Sequence, residues 1–157
     1  MAIVYLSIGT NMGNKRGNLI QATALLAERV GAVLALSSMY ETEPWGFESP
    51  NSFLNAAIKL QTSRAPMELL TMTRLIEIDM GRTQKSNGVY ADRIIDIDLL
   101  MYDEVVMQTP SLTLPHPLMH QRDFVLKPLA EIAPEVVHPL LGKRMERLLK
   151  ELDPADS

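Results

Sequence analysis

Two aspartates separated by a single residue, Asp96 and Asp98 in the run Arg93-Ile-Ile-Asp-Ile-Asp98, carry the strongest chemical signal in this chain. Residues 93–102 are mostly β-branched and aliphatic, which reads as a buried strand. Along a strand, residues two apart share a face at roughly 6.5 Å spacing. The two carboxylates therefore stand side by side, while Ile95, Ile97 and Leu99 face the other way. Buried neighbours of like charge repel, so such a pair takes up a proton or seats a cation. Mg²⁺ suits it, because that ion is commonly held by one or two carboxylates and completed by phosphate oxygens. The plainer alternative pairs one aspartate with Arg93 and turns the other to water at a sheet edge.

Cations gather in the segments flanking this strand: Arg82, Lys85, Arg93 and Arg122, joined by His116. Around a carboxylate–metal pair they would neutralise the remaining oxygens of a polyphosphate. Singly, each also reads as a solvated surface residue. His116 lies between two prolines, which stiffen the backbone and aim the imidazole. It could donate to a phosphate oxygen or release a proton, and it reads equally as a turn histidine. His120 and His138 lack zinc-ligand spacing with it.

A second cluster joins rings to an amide: Tyr40, Trp45, Phe53, Asn55 and Phe124. Rings stack on a flat heterocycle and an amide reads its donor and acceptor edge. Phe53 and Phe124 also read as core residues, and Tyr40 reads better that way. The segment Gly9-Thr-Asn-Met-Gly13 has neither Walker nor dinucleotide-fingerprint spacing and reads as a tight turn. There is no Gly-x-Ser-x-Gly and no evident Ser/His/Asp set, so nucleophilic hydrolysis has little support.

The elements that must position these groups follow from periodicity. Residues 2–8 read as a strand, and residues 18–30 as a helix with Leu19, Ala22, Leu26 and Val30 on one face and Gly31 as its stop. Residues 33–42 read as one strand, 43–52 as a loop and 53–61 as a third strand. Pro66 opens a second helix that ends near Gly81, burying Leu69, Met72, Ile76 and Met80 with Glu68, Thr71 and Arg74 facing out. The polar loop 82–92 leads into the carboxylate strand, and a short strand or turn covers 105–107. A helix follows over 122–132, short or kinked in its first half because of Pro128, then a last one over 143–152 and a frayed tail at 153–157. The order β-α-β-β-α-β predicts an α+β ferredoxin-like sandwich, with helices on one face of a mainly antiparallel sheet and extra C-terminal helices.

At 157 residues the chain suits a single domain, 1–157, and 46% hydrophobic with 22% charged residues is ordinary for a folded protein. A net charge of −4 gives no basic face for nucleic acid. With no cysteine, disulfides, thiolate metal sites and a cysteine nucleophile are excluded. The N-terminal apolar run is too short for a signal peptide or membrane span, so the expectation is a cytoplasmic protein with no membrane partner.

Several motifs together resemble the 6-hydroxymethyl-7,8-dihydropterin pyrophosphokinase family of the folate pathway. They are Gly9-Thr-Asn11, Tyr40-Glu-Thr-Glu-Pro44, Phe53-Leu-Asn-Ala56, Glu77, Gly81-Arg82, Arg93-Ile-Ile-Asp-Ile-Asp98, Leu114-Pro-His116 and Arg122-Asp-Phe124. The resemblance spans about residues 3–150. It implies transfer of the diphosphate of ATP to the hydroxymethyl oxygen of 6-hydroxymethyl-7,8-dihydropterin, with release of AMP. It implies two Mg²⁺ ions on Asp96 and Asp98, and a phosphate grip by Arg82 and Arg93. Lys85, His116 and Arg122 complete the ATP site, with Thr113 and Glu77 nearby. The pterin is implied between Phe53 and Phe124, recognised by Asn55 and the backbone around Thr42, with Gly9, Glu43 and Trp45 at the same site. Loops 10–17, 43–52 and 83–92 are expected to close and exclude water, and a monomer is expected. Where the family has Gly-Pro before the strand arginine this chain has Ala91-Asp92, and Gln84 stands where arginine is common. The rivals are an RNA- or nucleotide-binding module, a carboxylate-metal nuclease or phosphohydrolase, and a catalytically silent relative.

Overall fold

The computed structural model describes residues 1–42, 52–81 and 94–152, so the readings of Glu43, Trp45, Arg82, Lys85 and Arg93 lie outside the described residues. The central strand β1 (Ala2–Thr10) is paired on both sides, with β4 (Phe53–Thr62) and with β5 (Asp96–Tyr102), each antiparallel. Along the outer edge of β4 run β2 (Ala32–Leu36) and β3 (Tyr40–Thr42), giving the order β2-β4-β1-β5. This is the ferredoxin-like arrangement, and among the described residues β5 is an edge strand.

Helices α1 (Lys15–Arg29) and α2 (Pro66–Asp79) cover one face, where Leu19, Leu26, Leu69 and Ile76 pack on Val4, Leu6, Ile8, Ile58 and Ile97. On the other face lie α3 (Asp123–Ile132) and α4 (Met145–Leu152), whose Val125, Leu126, Leu129, Met145 and Leu148 pack on Tyr5, Ala57, Leu100 and Met101. The sheet is thus covered on both faces rather than one, and that is why β1 is buried almost continuously instead of in alternation. A small hairpin, β6 (Met107–Gln108) and β7 (Thr113–Leu114), follows β5.

Local chemistry explains the boundaries. The first helix starts at Lys15, three residues earlier than expected, because the Asn14 side chain accepts the Gly17 N–H at 3.0 Å, a side-chain cap. The expected strand 33–42 is two strands. Between them the Ser37 N–H still donates to the Ala57 carbonyl at 2.9 Å, but the Ala57 N–H goes to the Ser37 hydroxyl at 2.8 Å and the Ser38 N–H to Glu131 at 2.8 Å, so polar side chains interrupt the ladder. Helix α3 spans ten residues with Pro128 inside it. In β5 the register shifts between Tyr5 and Leu6, which leaves Leu100 as an extra residue. Leu99 therefore faces α1 and α2, whereas both Leu100 and Met101 face α3 and α4.

Candidate active site

Strand register builds the site. Across the sheet, Tyr40 pairs with Asn55, Asn55 with Gly9, and Gly9 with Asp96. One step along, Ala57 pairs with Ser7 and Ser7 with Asp98. Paired residues share a face, so Asn55, Asp96 and Asp98 all project on the side of α3 and α4. Two strand spacings, roughly 10 Å, separate the amide from the carboxylates. Small residues, Gly9, Ser7 and Ala57, floor the space between them. At Gly9 even a methyl group is excluded, since an added Cβ would lie 2.6 Å from the Asn55 Oδ1.

Asn55 is 4% exposed, and its Nδ2 donates to the Thr42 hydroxyl at 2.9 Å, which fixes the amide's orientation and leaves Oδ1 turned to Gly9. Phe53 lies opposite Thr42 in the β3–β4 pair, and Phe124 lies in the first turn of α3 on the same side of the sheet. The guanidinium of Arg122 sits 5.6 Å from the centroid of the Phe124 ring. Tyr40 has another duty: its hydroxyl donates to Glu131 and ties β3 to α3, and it is half-buried rather than the core residue expected.

Burial and the neighbouring Asp96 carboxylate push the Asp98 carboxyl up to about 8, against the opposing pull of Arg122. The pair therefore holds a proton near neutral pH, which is the electrostatic demand a cation answers. Among the described residues no three His, Cys, Asp or Glu side chains are grouped to enclose a metal ion. Two hard carboxylates fit an ion whose remaining ligands come from substrate oxygens and water, so the donor set matches Mg²⁺ and not a protein-enclosed metal.

Glu77, on α2, is 2% exposed. One of its oxygens accepts the Ile97 N–H at 2.8 Å and the other accepts from Arg74 at 3.0 Å. Burial, with Asp96 adding to it, raises its carboxyl above the usual range against the opposing effects of those two bonds.

Beside Asp98, at the free edge of β5, lies a depression of about 200 Å³ whose walls include Leu70, Arg74, Leu99, Leu112, Thr113 and His116. Its lining mixes the apolar Leu70, Leu99 and Leu112 with the polar or charged Arg74, Asp98, Thr113 and His116, a surface able to meet both a flat ring and anionic oxygens. The His116 Nδ1 accepts the Leu118 N–H at 3.1 Å, which places the imidazole proton on Nε2. Burial and then Arg122 lower the ring to about 4 despite Asp96, so at neutral pH His116 donates a hydrogen bond as a neutral ring and carries no charge. Of its three sequence readings, this state allows donation to an anionic oxygen and disfavours release of a proton, while the local bond from Leu118 fits the turn reading as well. A larger surface basin, about 580 Å³ by Lys143, Arg144, Arg147 and Lys150 of the α4 region, contains none of these groups.

The described residues bring together Gly9, Thr42, Phe53, Asn55, Asp96, Asp98, His116, Arg122 and Phe124, with Thr113 in the wall of the depression. Arg74 faces outward as the sequence predicts and its side chain is half-exposed, but sequence reasoning missed that it braces Glu77 and lines the depression, with Leu70 and Leu112 as apolar wall. The three-residue spacing from Arg74 to Glu77 along a helix was the available signal.

Fold and site together define a ferredoxin-like α+β protein with a carboxylate pair beside a partly polar depression of about 200 Å³, a layout suited to binding phosphate through a cation. Residues 5–134 match the family described as 7,8-dihydro-6-hydroxymethylpterin-pyrophosphokinase, or HPPK. The 2-amino-4-hydroxy-6-hydroxymethyldihydropteridine pyrophosphokinase of Porphyromonas gingivalis is 54% identical over 141 residues, covering 88% of this chain and 95% of that one. The Bacillus subtilis protein of the same name is 42% identical over 135 residues, covering 85% and 80%. A solved Plasmodium falciparum HPPK-DHPS shares the fold with a TM-score of 0.77 at 16% identity, covering 96% of this chain and 43% of that one. The chain belongs to the HPPK family, whose members are pyrophosphokinases of folate biosynthesis.

Proposed function

We propose that this chain carries out the family reaction at the site described above. The hydroxymethyl oxygen of 6-hydroxymethyl-7,8-dihydropterin attacks the β-phosphorus of ATP, the bond from that phosphorus to the α-phosphate oxygen breaks, and AMP leaves with the pterin diphosphate as second product. The observation that carries this reading is the register line Asn55–Gly9–Asp96, which sets an oriented amide and a carboxylate pair on one face with a small-residue floor between them.

In this reading Asn55 and the segment around Thr42 bind the pterin edge, with Phe53 and Phe124 against the ring and Gly9 beneath it. Glu43 and Trp45 complete that half. Nucleotide fills the depression at the edge of β5, where Thr113 and the Nε2–H of His116 meet its oxygens. Arg122, Arg82, Lys85 and Arg93 neutralise phosphate charge as it shifts to the departing AMP. Asp96 and Asp98 would hold two Mg²⁺ ions, which when bound screen the triphosphate and lower the pKa of a nearby hydroxyl. Substrate-induced closure excludes water, because a wet site would hydrolyse ATP. The chain acts as one domain and as a cytoplasmic monomer. Among the described residues no helix is long and apolar enough to cross a membrane.

Product analysis with Mg-ATP and the hydroxymethyl pterin tests the reading. AMP and pterin diphosphate in equal amounts, formed only with pterin present, are expected. ADP or orthophosphate as product removes it. Asp96→Ala and Asp98→Ala should each abolish turnover while pterin still binds, and retained rates in both would remove the metal assignment.

A further inference from the structure

Among the described residues no strand lies along the outer edge of β5 beside the carboxylate pair, and one buried side chain meets that edge instead. Ile97 lies between Asp96 and Asp98, and in an edge strand alternate N–H groups point away from the single neighbour. The Ile97 N–H points outward and meets Glu77 Oε2 at 2.8 Å. The same carboxylate is braced through its other oxygen by Arg74 at 3.0 Å, and it is 2% exposed. Leu69, Thr73 and Ile76 anchor the helix that carries it in the core. Glu77 does not line the depression beside Asp98, whereas its partner Arg74, half-exposed at the side chain, does.

A carboxylate so enclosed is poorly placed to touch a ligand and well placed to hold backbone. We propose that Glu77 is a positioning residue: through the Ile97 N–H it fixes the pitch of β5 between the two aspartates, so that both carboxylates aim at the same cation site. This inference rests on the function proposed above and assigns Glu77 a role other than nucleotide contact. The hydrogen bond, rather than the negative charge, carries the effect. Partners one step removed from metal ligands typically set affinity by about 10–100-fold.

Two substitutions separate bond from charge. Glu77→Gln keeps an oxygen at the length needed to accept from Ile97 but removes the charge. Glu77→Asp keeps the charge but is one methylene too short to reach. Mn²⁺ affinity in the presence of a non-hydrolysable ATP analogue, read by electron paramagnetic resonance, should fall about tenfold in Glu77→Asp and stay within about threefold of wild type in Glu77→Gln. The Ile97 amide should exchange with solvent faster in Glu77→Asp alone, measured by NMR without substrates. Pterin binding should be equal in all three proteins, because Asn55 lies two strands away. The reverse ranking, or equal Mn²⁺ affinity in all three, overturns the proposal. Parallel loss of pterin and metal binding also overturns it, since that marks general disruption. Wild-type product analysis is read separately, so failure of the transfer reaction is distinguishable from failure of the Glu77 assignment.

Discussion

At the scale of single residues, the aspartate pair dominates because its electrostatics are unfavourable without a counter-charge. With Asp98 raised to about 8 by burial and Asp96, the folded protein binds a proton there that the unfolded chain releases near pH 4. Between those values the folded state carries more protons than the unfolded one, so this group makes stability fall as pH rises. In protein freed of divalent cations, the thermal midpoint is expected to drop from pH 5 to pH 8. Asp98→Asn should flatten that slope, and calorimetry across the range checks both; an equal slope in the variant would refute the coupling. Gly9 gives a second residue-scale prediction. In Gly9→Ala the new methyl meets the Asn55 Oδ1 at 2.6 Å, and the amide must move. Overpacking of this kind costs about 1–3 kcal/mol, so pterin affinity should fall by about tenfold or more in titration calorimetry. Affinity for an ATP analogue should hold.

At the scale of elements, the junction after α1 is the tightest described. Gly31 lies so close to β4 that an added Cβ would fall 2.2 Å from the Gln61 carbonyl oxygen, and the backbone has to give. Gly31→Ala is expected to cost about 1–3 kcal/mol in urea unfolding while the site's ligand affinities persist, because the strain sits at the far end of β4 from Asn55. This glycine was legible in the sequence as a helix stop, but its real constraint is the neighbouring strand, which periodicity cannot show. Helix faces were read well, since Leu19, Ala22 and Leu26 lie three or four apart and all are buried. The split of 33–42 into β2 and β3 was not legible, because it depends on Ser37 and Ser38 finding Ala57 and Glu131 far along the chain. Nor was the extra residue at Leu100, since an unbroken apolar run carries no mark of which face each side chain takes.

At the scale of the whole molecule, the second layer of helices makes the site. Met145 and Leu148 of α4 help bury α3, and the Arg122–Phe124 turn at the start of α3 stands over the sheet face that carries Asn55 and the aspartates. Leu148→Ala should cost about 2–5 kcal/mol of stability, as large-to-small core changes do. Denaturant midpoints should fall while turnover per folded molecule at low temperature is kept. A loss of turnover without loss of stability would show that α4 acts on the site directly. The amino-acid order alone determined the alternation of elements, the helix faces and the adjacency of Asp96 and Asp98, because each is a matter of local spacing. It also exposed Asn55, Phe53, His116 and Arg122 as chemically suited residues. Only the folded arrangement decided that Asn55 and Asp96 share a face, that His116 is a neutral donor, and that Glu77 faces the backbone of β5. Those outcomes depend on register, burial and edge position, which arise when segments distant in the chain pack together.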